Sequence, residues 1–71
     1  MKPLLDLDSN YKEKLGKLTV EERIKYCNSL VDRYQLSLEK GKAHMGDELK
    51  MQFKELIMAA QKEIERIQQG V

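Results

Sequence analysis

The chain has 71 residues, so it forms at most one small domain and buries only about 60% of the surface that its unfolded form exposes. Thirteen basic and twelve acidic residues nearly cancel, which argues against a dedicated nucleic-acid-binding protein, because such a protein needs a clear basic excess. Cys27 and His44 are the only cysteine and the only histidine, which excludes an internal disulfide and a four-ligand zinc site within one chain.

A short first helix is predicted for residues 9 to 15. Asp8 or Ser9 is placed to cap its start, and Gly16 is placed to end it in a left-handed conformation. A helix of this length is unstable alone and must pack on the rest of the chain. Its apolar side would consist of Leu7, Tyr11, Leu15 and Leu18.

The second helix, predicted for residues 20 to 40, has the clearest start in the sequence. The segment TVEE is a capping box, in which Thr19 and Glu22 each accept a hydrogen bond from the other's backbone amide. An apolar seam with heptad-like spacing follows, and a small residue such as Cys27 fits it as a core residue rather than as a nucleophile. The seam consists of Val20, Ile24, Cys27, Val31, Tyr34 and Leu38.

The third helix is predicted for residues 47 to 69, with Asp47 as its cap and Gly70 just past its end. Met51 and Met58 lie away from its main apolar stripe. That stripe consists of Leu49, Phe53, Leu56, Ile57, Ala60, Ile64 and Ile67.

The connection GKAHMG, residues 41 to 46, decides the architecture. The seam of the second helix does not continue in phase into the third, and Gly41 is well placed to end a helix. The sequence therefore predicts an all-α antiparallel helical hairpin with a short N-terminal helix, assembling into an oligomeric helical bundle. The alternative is one long helix kinked at this segment, because two glycines within a helix cost only about 2 kcal/mol.

The two methionines make the third helix apolar over more than one face, which is more than a single neighbouring helix covers. Since so small a domain also needs additional burial, we expect a homo-oligomer, with a foreign protein as the alternative occupant of that face. The function indicated is a non-enzymatic interaction protein (a regulator, adaptor or inhibitor), and a third interpretation is a subunit of a larger structural assembly. The residues predicted to contact the partner are Met51, Met58, Lys54 and His44.

A second hypothesis rests on the segment NYKEKLGK, residues 10 to 17. An aromatic ring beside several ammonium groups suits a base and its phosphates, although the same pattern fits a docked ring with solvated lysines. Tyr11 and Lys12 followed by LTVEE resemble the pattern of small helical phage proteins that sequester cyclic nucleotides. The resemblance is confined to the N-terminal part of the chain and implies an oligomeric sponge for an anionic small molecule such as a cyclic nucleotide. Its pocket would be lined by Tyr11, Lys12, Lys14, Lys17 and His44.

No pattern of residues supports an enzyme or a cofactor. Gly41 and Gly46 have part of the spacing of a phosphate-binding loop, but acidic residues follow where lysine and a hydroxyl are required. No apolar run approaches the ~18 residues of a spanning helix, and the N-terminal MKPLLDLD has two aspartates that a secretory signal would lack. We therefore expect a cytoplasmic protein, either of a cell or of a virus acting inside its host.

Overall fold

A computed structural model describes residues 2–41 and 46–70 and confirms the predicted all-α hairpin. Its two long helices, α3 (Val20–Lys40) and α4 (Asp47–Gln69), pack against each other. Two short helices precede them, α1 (Leu4–Leu7) and α2 (Ser9–Lys14), and a 3₁₀ turn over Leu15–Lys17 follows α2. The alternative of one long kinked helix is therefore wrong, whereas the oligomeric bundle stays a prediction.

The contacts along the hairpin show that α3 and α4 are antiparallel. Tyr34 packs on Phe53 with ring centroids 4.8 Å apart, and Arg23, near the start of α3, lies 3.6 Å from Glu63, near the end of α4. The result is a rod of about 40 × 20 × 19 Å. We call the end where α3 begins and α4 finishes the open end of the hairpin.

Local hydrogen bonds fix two of the helix starts as predicted. The Thr19 amide donates to Glu22 Oε1 at 2.9 Å, and the Glu22 amide donates to Thr19 Oγ1 at 3.2 Å, which completes the capping box. At the start of α2, the Asp8 carboxylate accepts from the amides of Asn10 and Tyr11. Both caps satisfy amides that have no partner inside their own helix.

Three details differ from the predictions. Gly16 does not end a helix in a left-handed conformation, because the chain tightens into the 3₁₀ turn and no described glycine has a positive φ. Asp47 is the first residue of α4 rather than its cap; Gly46 holds the cap position and supplies no side-chain bond. Helix α1 was not predicted, since four residues are too few to show a helical period.

The core lies where α1 and α2 pack on the middle of the hairpin. Ala59 and Ala60 are buried on α4, and their small side chains let the neighbouring elements approach closely. The buried cluster consists of Leu4, Tyr11, Cys27, Leu30, Ala59 and Ala60. Among the described residues, none of the helices combines the length and the apolar character needed to cross a membrane.

Candidate interaction site

The outer face of α4 is defined by two exposed apolar side chains, Met51 and Met58. Met51 is 68% exposed and Met58 is 50% exposed. They are seven residues apart, so they lie about 10 Å apart along the helix and nearly above one another. Successive residues are rotated by about 100° around the helix axis, so the two methionines point away from Ala60, which is buried in the core. Helix α1 borders this face on the side of Glu55 and Lys62 but leaves both methionines exposed.

The charges along this outer face are balanced. Lys54 and Glu65 lie along one edge, and Glu55 and Lys62 lie along the other, so each edge has one charge of each sign. All four side chains are exposed. Lys54, which the sequence predicted to contact a partner, is exposed beside the two methionines, and that contact stays a prediction. His44, assigned to the same contact, lies outside the described residues.

The structure corrects the prediction that Tyr11 offers its ring to a ligand. Tyr11 is fully buried, and its hydroxyl donates a hydrogen bond of 2.6 Å to Glu63 Oε2. No part of the ring is available for stacking on a base. The geometry is that of the alternative interpretation, in which the ring packs in the core and the lysines are solvated. Lys12, Lys14 and Lys17 are exposed, and their binding of an anion between subunits stays a prediction.

Glu63 is a buried carboxylate that the sequence analysis missed. Its side chain is only 6% exposed, and besides Tyr11 it faces two guanidinium groups. Arg23 Nη2 lies 3.6 Å from Oε2, and Arg66 Nη1 lies 3.8 Å from Oε1. The available signal was its position: Glu63 falls between Ala60 and Ile67 at the spacing of the buried stripe.

A second tyrosine extends this polar network towards the N-terminus. The Tyr26 hydroxyl donates to Asp8 Oδ2 at 3.0 Å, and the rings of Tyr26 and Tyr11 pack with centroids 5.2 Å apart. Asp8 therefore caps α2 and also holds it against α3. The network joins the N-terminal helices to both arms of the hairpin.

The burial of this network shows in the pKa values of its members. Burial, helped by the hydrogen bond to Glu63, raises the pKa of Tyr11 well above its usual range. Burial and the hydrogen bond to Asp8 raise the pKa of Tyr26 to about 12. Burial and the nearby charge of Glu63 raise the pKa of Cys27 to about 11. All three groups are therefore protonated at neutral pH, and both tyrosine hydroxyls remain donors.

Cys27 should be nearly inert in the native protein, because the thiolate is its reactive form. A pKa raised from 9.0 to about 11 lowers the thiolate fraction at mildly alkaline pH by about a hundredfold, before access is considered. We expect alkylation by iodoacetamide to be slower than that of the urea-unfolded chain by at least this factor. Equal rates in the two states would contradict the buried position.

Comparison of the chain with protein-family models, with curated proteins and with solved structures finds no match. The fold itself defines the class of the protein, an all-α helical hairpin with short N-terminal helices. Within residues 2–41 and 46–70, no three histidine, cysteine or carboxylate side chains converge as metal ligands.

Proposed function

We propose that this chain is a small helical interaction protein without catalytic activity of its own, which self-associates through the outer face of α4. As a homo-oligomer it presents helix faces to another macromolecule, as a regulator, adaptor or inhibitor does. The observation that supports this most is the exposure of Met51 and Met58, at 68% and 50%, on the outer face of α4. Methionine is common on adaptable binding surfaces, and burial of such a face stabilises an assembly.

A second copy of the chain suits this face because its charges are self-complementary. In an antiparallel pair of α4 helices centred near Met58, residues on the same edge face each other. Lys54 then lies opposite Glu65 of the second copy, and Glu55 lies opposite Lys62 of the second copy. The two-fold symmetry makes each ion pair twice, and no like charges need to face each other.

Substitutions at two equally exposed positions test whether the outer face of α4 is the interface. Met58 on α4 and Leu36 on the outer face of α3 are each 50% exposed. Met58→Glu would place two carboxylates near the two-fold axis of the interface, so we expect it to weaken self-association at least about tenfold. Leu36→Glu should leave self-association unchanged, and sedimentation velocity over a range of concentrations measures both. The proposal is wrong if Met58→Glu associates like the wild type.

A charge exchange tests the antiparallel arrangement. Lys54→Glu alone and Glu65→Lys alone each place like charges opposite one another and should weaken the oligomer. The double variant restores opposite charges and should recover most of the lost association. Failure of the double variant to recover would leave the methionine contact in place but contradict the antiparallel pairing.

A further inference from the structure

Two adjoining cavities lie at the open end of the hairpin. One, of about 220 Å³, lies between the start of α3 and the end of α4, and includes Arg23 and Arg66 in its lining. The other, of about 170 Å³, lies between α1 and α4 and is lined in part by Lys2, Lys62 and Arg66. Glu63 and Arg66 belong to both. We call the two cavities together the arginine cleft.

The arginine cleft has an excess of positive charge. Its lining contains four cations, Lys2, Arg23, Lys62 and Arg66, and one carboxylate, Glu63, which leaves a formal charge of +3 (four minus one). The Glu63 side chain is only 6% exposed, so its carboxylate is largely withdrawn from solvent. Because the four cations outnumber this single carboxylate, an anion entering the cleft meets a net positive charge.

The guanidinium groups keep donors available for such an anion. Their contacts with Glu63, at 3.6 and 3.8 Å, are longer than hydrogen bonds, whereas the Tyr11 hydroxyl makes the short one at 2.6 Å. Arg23 Nε is buried and has no hydrogen-bond acceptor in the described part of the chain. The Arg66 side chain is 68% exposed and lines both cavities, so its guanidinium group is accessible from solvent.

We propose that the arginine cleft binds a small dianionic phosphate group, most tightly as a monoester. Guanidinium groups match the oxygens of a phosphate with paired donors, and the two lysines add charge. Apolar residues, among them Val20, Ile67 and Leu4, form the remaining walls and suit a small organic substituent. Each cavity is smaller than the ~300 Å³ of an ordinary ligand pocket, which favours a compact ester over a large nucleotide.

This site differs from the pocket predicted from the sequence, which relied on the ring of Tyr11 and on the lysines of α2. It is also independent of the self-association of α4, except that Lys62 borders both surfaces. The variant that tests the arginine cleft therefore leaves Lys62 unchanged. Arg66 and Lys2 are both exposed, so replacing them should not unfold the protein.

The probes are inorganic phosphate and a compact ester, phenyl phosphate, titrated at constant ionic strength into ¹⁵N-labelled protein and followed by the shifts of its amide resonances. In the wild type we expect shifts at amides lining the cleft, such as those of Ala59 and Gly70. Lys2→Gln/Arg66→Gln should weaken binding at least about tenfold. The matched control Lys12→Gln/Lys14→Gln removes the same charge from exposed positions on α2 and should change binding by less than about threefold.

If the ester binds more tightly than phosphate, its organic substituent contacts the apolar walls. If the two bind equally, free phosphate is the ligand of the same cleft. The proposal is overturned if neither probe binds at millimolar concentration, or if the two double variants lose affinity equally. Sedimentation of Lys2→Gln/Arg66→Gln should match the wild type. Loss of phosphate binding is thereby separated from loss of the oligomer.

Discussion

Replacing Tyr11 by alanine should lower the free energy of unfolding by about 3–5 kcal/mol, the usual cost of deleting a fully buried aromatic ring. The ring is fully buried and packs on Tyr26, and its hydroxyl bonds to Glu63. Small domains have stabilities near the low end of about 5–15 kcal/mol, so this loss removes most of the total. Urea unfolding followed by far-ultraviolet circular dichroism measures it.

Tyr11→Phe separates the hydroxyl from the ring. The phenyl ring still fills the core, but Glu63 Oε2 loses its short hydrogen bond, which should cost about 1–3 kcal/mol. The order of stability is therefore wild type, then phenylalanine, then alanine. If Tyr11→Ala were as stable as the wild type, the ring would not belong to the core, and its predicted role in stacking on a ligand would return.

Glu63→Ala should lower the free energy of unfolding by about 2–3 kcal/mol. The Tyr11 hydroxyl would be buried without an acceptor, and Arg23 would lose its only ion pair within the described residues. The cost stays below that of breaking a fully buried ion pair because the Arg23 side chain is 29% exposed and can be hydrated. Urea unfolding of the purified variant provides the measurement.

Two further variants define what the Glu63 side chain contributes. Glu63→Gln keeps an acceptor for Tyr11 while removing the charge, so we expect it to fall between the wild type and Glu63→Ala. Glu13→Ala removes an exposed carboxylate on α2 and should change stability by less than about 0.5 kcal/mol. Equal effects of Glu63→Ala and Glu13→Ala would show that the buried network adds no stability.

The parts of the fold that follow from local sequence could be predicted. Thr19 and Glu22 fix the start of α3 through two hydrogen bonds that span three residues, so the pattern itself contains both partners. The phase break between the two seams, together with Gly41, predicted the turn of the hairpin. The exposure of Met51 and Met58 followed in the same way, since both lie off the buried stripe of their own helix.

The buried network could not be predicted, because its partners are far apart in sequence. Tyr11 and Glu63 are separated by 52 positions, and neither residue alone indicates the other. A tyrosine among lysines fits both an exposed ligand site and a ring packed in the core. The sequence alone does not show the carboxylate that accepts the hydrogen bond of its hydroxyl. The arginine cleft was missed for the same reason, because Lys2, Arg23 and Arg66 meet only once the hairpin has closed.

Native mass spectrometry of the purified wild-type chain, beside Met58→Glu and Leu36→Glu, tests most directly whether the outer face of α4 joins copies of the protein. We expect the wild type and Leu36→Glu at an integral multiple of the chain mass, and Met58→Glu mainly at the mass of one chain. A wild type that stays monomeric throughout the micromolar range would contradict self-association through this face.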